Sequence, residues 1–475
     1  MLKNSQFCFG EVDFNGKRVS IIRDVFSFSQ NDSERGRRQM NYTEAVAYID
    51  ELTRAKKISL GLSTMKELLS RLGDPQDSLS FIHIAGTNGK GSTLAFLSSV
   101  CRAAGFRVGR YNSPSVFSYC EKIQVNGTAI SEADAARLLT RVRQVSEEME
   151  ADGLSHPTAF ETETAVSFLY FAEQGCDLVA LETGMGGETD ATNVVTTTVV
   201  SVLSSISMDH MQFLGNTLEE IARVKGGIIK PGRPVVLSGQ SETVTKVMEE
   251  ICRERRSSLT ISAPEKAKVL KTGTDGTVFD YGAFKNVKIP LLGKYQIINA
   301  CTALEVVEIL RDLGYDIGEN AVYEGMASVV WPGRFEKLLD SPFFFIDGAH
   351  NPEAAERLRD SINLYFTNRR ILYIMGILAD KDYRRIVEIT APMAEKIFTV
   401  TPNNSRALSA EALASCIEEQ AETIGFSGTV ETRESIERAV KDSLSWAGED
   451  GCIIAFGSLS YLGELKAALK ENIHD

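Results

Sequence analysis

The sequence predicts an α/β protein, with a mostly parallel sheet covered by helices on both faces and a second, smaller α/β domain behind it. Three observations predict it. From Phe81 onward, short apolar runs alternate with stretches whose apolar residues recur at helical spacing. The first of these runs, FIHIA, ends in a Gly-rich loop that opens a helix, where open α/β sheets place their ligands. After Trp331-Pro332-Gly333-Arg334 the same alternation starts again.

Taken in order, FCFGEVDFNGKRVSIIRDVFSFSQ suggests a short hairpin around Asn15-Gly16, and NDSERGRRQ a polar linker. Residues 1–39 are either a small N-terminal extension or precede a true start at Met40. NYTEAVAYIDEL is amphipathic and starts a helix at Tyr42 or Thr43. STLAFLSSVCRAAG reads as a helix stopping at Gly105, and RVGRYNS as a strand and turn. SEADAARLLTRVRQVSEEMEADG is a long helix with Ser131 as cap and Asp134 three residues on. FLYFAEQG ends another helix, while DLVALETG, TTVVSVLSSI and RPVVLSG are buried strands. The segment 266–292, with Gly-rich turns between short β-like runs, reads as a β-hairpin flap, and a helix follows from 295 to about 314. FFFIDG, ILYIMGIL, KIFTV and CIIAFG are the strands of the second domain. The expected division is an extension over 1–39, a larger α/β domain over 40–333 and a smaller α/β domain over 334–475.

Composition narrows the function. With 43% hydrophobic and 24% charged residues, the 475-residue chain is ordinary for a globular protein. A net charge of −13 argues against bulk binding to nucleic acid or anionic membranes. No apolar run is long enough for a transmembrane helix, and the N-terminus lacks the pattern of a secretory signal. The eight cysteines form no Cys-x-x-Cys pair and read as reduced thiols. The expectation is a cytoplasmic protein, monomeric, with small-molecule partners and no nucleic-acid or membrane partner.

The strongest chemical signal is IHIAGTNGKGST. Gly86, Thr87, Asn88, Gly89, Lys90, Gly91 and Ser92 lie between a strand and a helix. Glycines let backbone N–H groups approach phosphate oxygens, and the helix N-terminus adds its dipole. Lys90 supplies a point charge and Ser92 a phosphate or metal contact. The spacing departs from the commoner phosphate loop because Gly91 separates Lys90 from Ser92. The bland alternative is a Gly-rich turn without a ligand. In LETGMGGETDATN, Glu182 ends a buried strand, where a carboxylate holds Mg2+ or pairs with a nearby base. In SMDHMQFLG, Asp209 and His210 follow another strand, and His210 is a metal contact or an ordinary histidine. By composition alone Lys225, in ARVKGGIIKPG, is a surface lysine.

With IHIAGTNGKGS, YNSPS with EKIQVNG, FETET, LETGMGGETDATN, SMDHMQFLG, RVKGGIIKPG, KYQIINACTAL, WPGRFE, DGAHNPEAA, GILADKD and GSLSYLGE in this order, the chain resembles the dihydrofolate synthase/folylpolyglutamate synthase family of the Mur ligase superfamily. The resemblance runs from Asn41 to Glu464. It implies a P-loop Mur-ligase-type central ATPase domain plus a smaller Rossmann-like C-terminal α/β domain. It implies ATP-dependent ligation of L-glutamate to the γ-carboxylate of reduced folates through an acyl phosphate, and dihydropteroate as a second acceptor.

Residue by residue, the resemblance implies ATP contacts at Gly86, Thr87, Asn88, Gly89, Lys90, Gly91, Ser92, Asn299, Arg334 and Asp347. It implies Mg2+ at Ser113, Glu182 and His210, a carbamylated Lys225, and K+ as a further candidate cofactor. Ile58, Leu60, Thr158, Phe160, Asp190 and Ala191 match the pterin pocket, and His350 and Ser458 the incoming glutamate. Lys90, Lys225, Asp347 and His350 are the candidate catalytic groups, the last two nearest the attacking amine. Three departures touch the folate side: Ser115, Lys122 and Glu188 stand where many relatives have His, Arg and Arg. The rival ligase is another Mur-type enzyme, of the muramyl-peptide or cyanophycin kind, against which FETET and DATN count. A nucleotide-dependent switch would need neither Lys225 nor DGAHNP.

Overall fold

The computed structural model describes residues 9–14, 17–22, 38–55, 61–209 and 211–474. The chain divides into two units, Met1–Gln39 and Met40–Asp475. In the first, Phe9–Phe14 pairs antiparallel with Lys17–Ile22, as the sequence suggests, and the Asn15-Gly16 turn lies outside the described residues.

Among the described residues, the second unit has two large sheets and a small three-stranded one. The larger runs in the order Leu259–Ile261, Val235–Leu237, Thr198–Leu203, Phe81–Ala85, Leu178–Glu182, Val108–Tyr111, Ile123–Val125, Thr128–Ala129. Its first six strands are parallel. Phe81–Ala85 and Leu178–Glu182 are buried along their whole length, which is why they read as unbroken apolar runs. The last two strands are an antiparallel edge made by EKIQVNG and its return, which apolar periodicity does not reveal. Two helices, Lys90–Ala103 and Lys294–Asp312, cover one face. Glu132–Ala151 and Ala159–Glu173 cover the other. Ser131 caps its helix as expected, accepting from the Asp134 N–H at 3.0 Å and donating to the Asp134 carboxylate at 2.7 Å.

The expected hairpin flap is one strand larger than its sequence suggests. Lys268–Gly273, Gly276–Tyr281 and Phe284–Ile289 form an antiparallel meander, because Asp280–Lys285 contains a second tight turn at Gly282. Phe279, Val287 and Ile289 join the core beneath the Lys90–Ala103 helix.

The smaller sheet runs Glu336–Asp340, Phe343–Ile346, Cys452–Phe456, Ile371–Met375, Lys396–Thr399, Thr429–Thr432. All pairs are parallel except the first. Phe343–Ile346 lies directly beside Cys452–Phe456, so the segments after Ile346 and Phe456 emerge side by side. In the larger sheet Ile84 pairs with Glu182, Leu181 with Tyr111, and Ala85 with Leu203, so four strands end at one level. These two edges carry the 86–92 loop, Ser113, Glu182, Asp347 and His350. The seven described cysteines are buried and free. Among the described residues, no helix is long and apolar enough to cross a membrane.

Candidate functional site

The loop between Ala85 and Lys90 is held by the neighbouring strand end. Thr87 N–H donates to the Ser205 carbonyl at 2.7 Å, and Ser207 N–H to Thr87 Oγ1 at 3.0 Å. Gly89 has φ +88°, and a Cβ there would strike the Asn299 carboxamide. Gly91 lies under Trp331, whose indole would collide with a side chain at that position. Lys90 folds back over the loop, donating to the carbonyls of Gly86 and Thr87 at 3.1 and 3.2 Å. Its Nζ is 3.9 Å from the Glu182 carboxylate.

Glu182 is 5% exposed. Burial raises its carboxyl pKa, while Lys90 and Arg334 pull it down and the Ser113 N–H donates to it. It is thus a buried oxygen donor whose charge is only partly offset by a lysine at the edge of ion-pair range. Ser113 stands beside it, joined to Pro114 by a cis peptide bond. Asp209 faces the same space, whereas His210 lies outside the described residues.

Lys225 is no surface lysine. It is 4% exposed, at the end of the helix Leu218–Gly226, and its Nζ donates to the Gly86 carbonyl at 2.9 Å. Burial pushes its amine down to about 7, with Lys90 adding repulsion. The Val224 and Lys225 carbonyls lie where a Cβ on Gly187 would be, which explains the glycine before Glu188.

The smaller sheet supplies the opposite wall. Asp347 follows Phe343–Ile346 and accepts from the Phe335 and Ala349 N–H groups, each at 2.7 Å. Burial pushes its carboxyl up to about 6, against the pull of Arg334. His350 Nδ1 lies 2.7 Å from the Gly348 carbonyl, which only accepts, so Nδ1 carries the proton and Nε2 the lone pair. Burial pushes this imidazole down to about 4. Asn299, Arg334, Asp347 and His350 line one cavity of about 210 Å³ with the 87–92 segment, Ser113 and Glu182. Ser458 is not on that wall. Its hydroxyl accepts from Ser460 N–H and caps the short turn after Phe456.

The pterin-side candidates divide. Ile58 and Leu60 lie outside the described residues. Thr158 caps its helix in a reciprocal pair with Glu161, leaving Phe160 packed on Gly184 and beside Tyr111, ring centroids 6.0 Å apart. Asp190 is buried and accepts from Met185 N–H, Thr192 N–H and Thr192 Oγ1, and Thr192 also meets His83 at 2.9 Å. Asp190 and Ala191 thus shape the loop over the strand end from within. Of the three departures, Lys122 is answered by a partner: its Nζ is 2.7 Å from buried Glu163 of FETET. Ser115 is half-buried, and Glu188 is exposed.

Sequence reasoning missed Glu353 and Arg357, although DGAHNPEAA contains the first. Glu353, in the first turn of Pro352–Tyr365, accepts from Asn88 at 2.5 Å and from the Ser205 and Ser207 hydroxyls, and pairs with Arg357. One carboxylate therefore ties the smaller sheet to the phosphate loop. The Asn-Pro start with an acid in the first turn was legible; its reach of 265 residues along the chain was not.

The Mur ligase middle domain matches residues 84–307, and the Mur ligase glutamate ligase domain residues 333–459. The dihydrofolate synthase/folylpolyglutamate synthase of Bacillus subtilis (strain 168) is 33% identical over 419 residues, 86% of this chain and 95% of that protein. The folylpolyglutamate synthase of Mycobacterium tuberculosis, solved with ADP, superposes with a TM-score of 0.80 at 28% identity over 91% of this chain and 99% of that one. Escherichia coli FolC, solved with DHPP and ADP, superposes with a TM-score of 0.79 at 28% identity and the same coverage.

Proposed function

The chain belongs to the dihydrofolate synthase/folylpolyglutamate synthase family of Mur-type ligases and is an ATP-dependent ligase of glutamate to folates; we propose that its acceptor is the γ-carboxylate of a reduced folate, activated as an acyl phosphate. The observation that carries this is one cavity with Lys90 and Glu182 on the first wall and Arg334, Asp347 and His350 on the second.

The backbone N–H groups of the 86–92 loop and the N-terminus of Lys90–Ala103 cradle the phosphates of ATP. Lys90, held over the loop by two carbonyls, faces the phosphoryl group to be transferred. Asn299, Arg334 and Asp347 hold the nucleoside end. Phosphoryl transfer to the folate carboxylate releases ADP. The amine of glutamate then attacks the acyl phosphate, inorganic phosphate leaves and an amide forms. A cleft closed by two walls excludes the water that would hydrolyse the intermediate. His350 is neutral with a lone pair on Nε2, so it is suited to accept a hydrogen bond from the ammonium of incoming glutamate and position it, while a ring pushed down to about 4 is too weak a base to take the proton, which passes to solvent before attack. Asp347, spent on two backbone N–H groups, orients this wall.

Mg2+ fits the buried, partly neutralised Glu182 carboxylate beside Ser113, with His210 as third candidate ligand. Bound there, it would neutralise charge on phosphoryl oxygens. K+ is a further candidate cofactor. Lys225, with an amine near 7, is about half free base at neutral pH, the form that adds CO2. A carbamate there would replace a buried cation by an anion beside Gly86. Phe160 on Gly184 forms the floor of the pterin pocket, and dihydropteroate is the second candidate acceptor. The division at 333/334 is supported by the two sheets and by the two family-model matches. A cytoplasmic setting and a monomeric state are proposed, and the seven described cysteines, buried and free, fit the former. The test is phosphate release from ATP with tetrahydrofolate, with and without glutamate. Release should require both; release indifferent to glutamate would sink the proposal.

A further inference from the structure

The strand that leads into the phosphate loop holds an imidazole at its centre. His83 lies in Phe81–Ala85, fully buried, where the neighbouring residues are apolar. Alternation along the strand puts it on the face of Phe81, which packs on Phe168 with ring centroids 5.4 Å apart. Tyr111 and Phe160 lie on that face too. The ligation chemistry above gives this histidine no task. Among the described residues its ring makes one hydrogen bond, with Nε2 2.9 Å from Thr192 Oγ1. Its Nδ1 is buried without a partner.

The direction of that bond follows from its surroundings. Asp190 accepts from Met185 N–H at 2.8 Å, Thr192 N–H at 3.0 Å and Thr192 Oγ1 at 2.5 Å, and the Gly184 N–H also donates to it. A carboxylate met by so many donors serves as acceptor, so Thr192 gives its only hydroxyl proton to Asp190. Towards the ring Thr192 can then only accept. His83 is therefore the tautomer with its proton on Nε2 and a bare Nδ1. Burial pushes this imidazole down to about 3, so it is neutral at neutral pH. A buried lone pair without a partner is destabilising, and leucine would pack in the strand without one. What histidine adds over leucine is a single donated hydrogen bond.

That bond starts a chain that ends at the cavity. His83 orients Thr192, Thr192 orients Asp190, and Asp190 gathers the Gly184 and Met185 N–H groups. Gly184 lines the cavity of about 210 Å³ just after Glu182, and Phe160 packs on it. Asn193 fixes the far end of the loop, donating to the Glu188 and Gly227 carbonyls at 3.0 and 3.2 Å. We propose that His83 is a positioning residue for the acceptor: through Thr192 and Asp190 it sets the 183–190 loop, and with it Gly184 and Phe160, against which the folate lies. This rests on the ligase reading above and adds to it a residue that acts without touching substrate. The phosphate loop follows the same strand but is held from its other side, by Ser205 and Ser207. The chain therefore bears on the folate and not on ATP.

The test is steady-state kinetics with tetrahydrofolate, ATP and glutamate, using wild type, His83→Leu, His83→Gln and Thr192→Val. His83→Leu should raise the KM for tetrahydrofolate about tenfold, with the KM for ATP within about twofold and the urea midpoint not lowered. Glutamine brings an amide N–H to the place of Nε2 and should return the folate KM to within about threefold of wild type. Thr192→Val cuts the chain at its next link, should match His83→Leu, and carries the test if that variant fails to fold. The double variant should be no worse than either single one, because both cut one chain. Nitrogen NMR should find His83 protonated at Nε2. A proton on Nδ1, a folate KM unmoved by either substitution, equal rises in both KM values, or a glutamine variant no better than leucine would each overturn the proposal. If wild type joins no glutamate to tetrahydrofolate, the ligase reading itself fails; if it does and the variants match it, only the positioning role does.

Discussion

Replacing Lys225 with methionine tests the buried amine most directly. Burial takes this group from the ordinary 10.5 to about 7. Between those values the unfolded chain holds a proton on Lys225 that the folded protein gives up. Its contribution to stability is therefore unfavourable below 10.5, grows as pH falls and levels off below 7. At about 1.4 kcal/mol per pKa unit, the cost is about 4 kcal/mol at pH 7 and about 2 kcal/mol at pH 9. Methionine occupies similar space without charge and removes one of two donors to the Gly86 carbonyl, which keeps Lys90 at 3.1 Å, a loss of about 0.5–1.5 kcal/mol. In CO2-free buffer, Lys225→Met should be more stable than wild type by about 3 kcal/mol at pH 7, an advantage that falls to about 1 kcal/mol at pH 9. Urea unfolding at the two pH values measures both numbers. Ligation should be lost in the same variant, because the group that destabilises the fold is the one placed for catalysis. A variant less stable than wild type at pH 7, or a gap unchanged between pH 7 and 9, would refute the reasoning.

Three further outcomes follow from the geometry. Glu182→Gln keeps shape but removes the buried anion next to Lys90, so turnover should fall about hundredfold or more while circular dichroism stays native. Lys122→Met strands Glu163 in the core, and should cost about 3–5 kcal/mol in chemical denaturation; near-wild-type stability would show that the pair is solvated. His350, held near 4 by burial, should show no imidazole titration by NMR between pH 6 and 8. A midpoint near the ordinary value of about 6.5 would show that burial does not hold the ring neutral.

Much of the fold was legible because parallel strands buried on both faces leave uninterrupted apolar runs, as at FIHIA and LVALE. The phosphate loop was legible because its glycines are demanded by close neighbours, Asn299 at Gly89 and Trp331 at Gly91. Short edge strands were not: Ile123–Val125 and Thr429–Thr432 are too brief and too polar to stand out. Burial of single charged residues was equally hidden. Lys225 and Arg110 look like surface cations until the sheet places one under Gly86 and the other against Trp331. Ser458 and Asp190 carry the opposite lesson: their oxygens are engaged by neighbouring backbone N–H groups within a few residues. Whether either also touches a substrate is decided by binding measurements on variants, since a cap and a ligand contact need the same residue types.

The most direct measurement is mass spectrometry of products from paired reactions, one with dihydropteroate and one with tetrahydrofolate, each with ATP, Mg2+, K+ and glutamate. A tetrahydrofolate product longer by one glutamate is the expected result, and addition to dihydropteroate as well would make the enzyme bifunctional. No glutamate on either acceptor, with ATP still consumed, would contradict folate ligation.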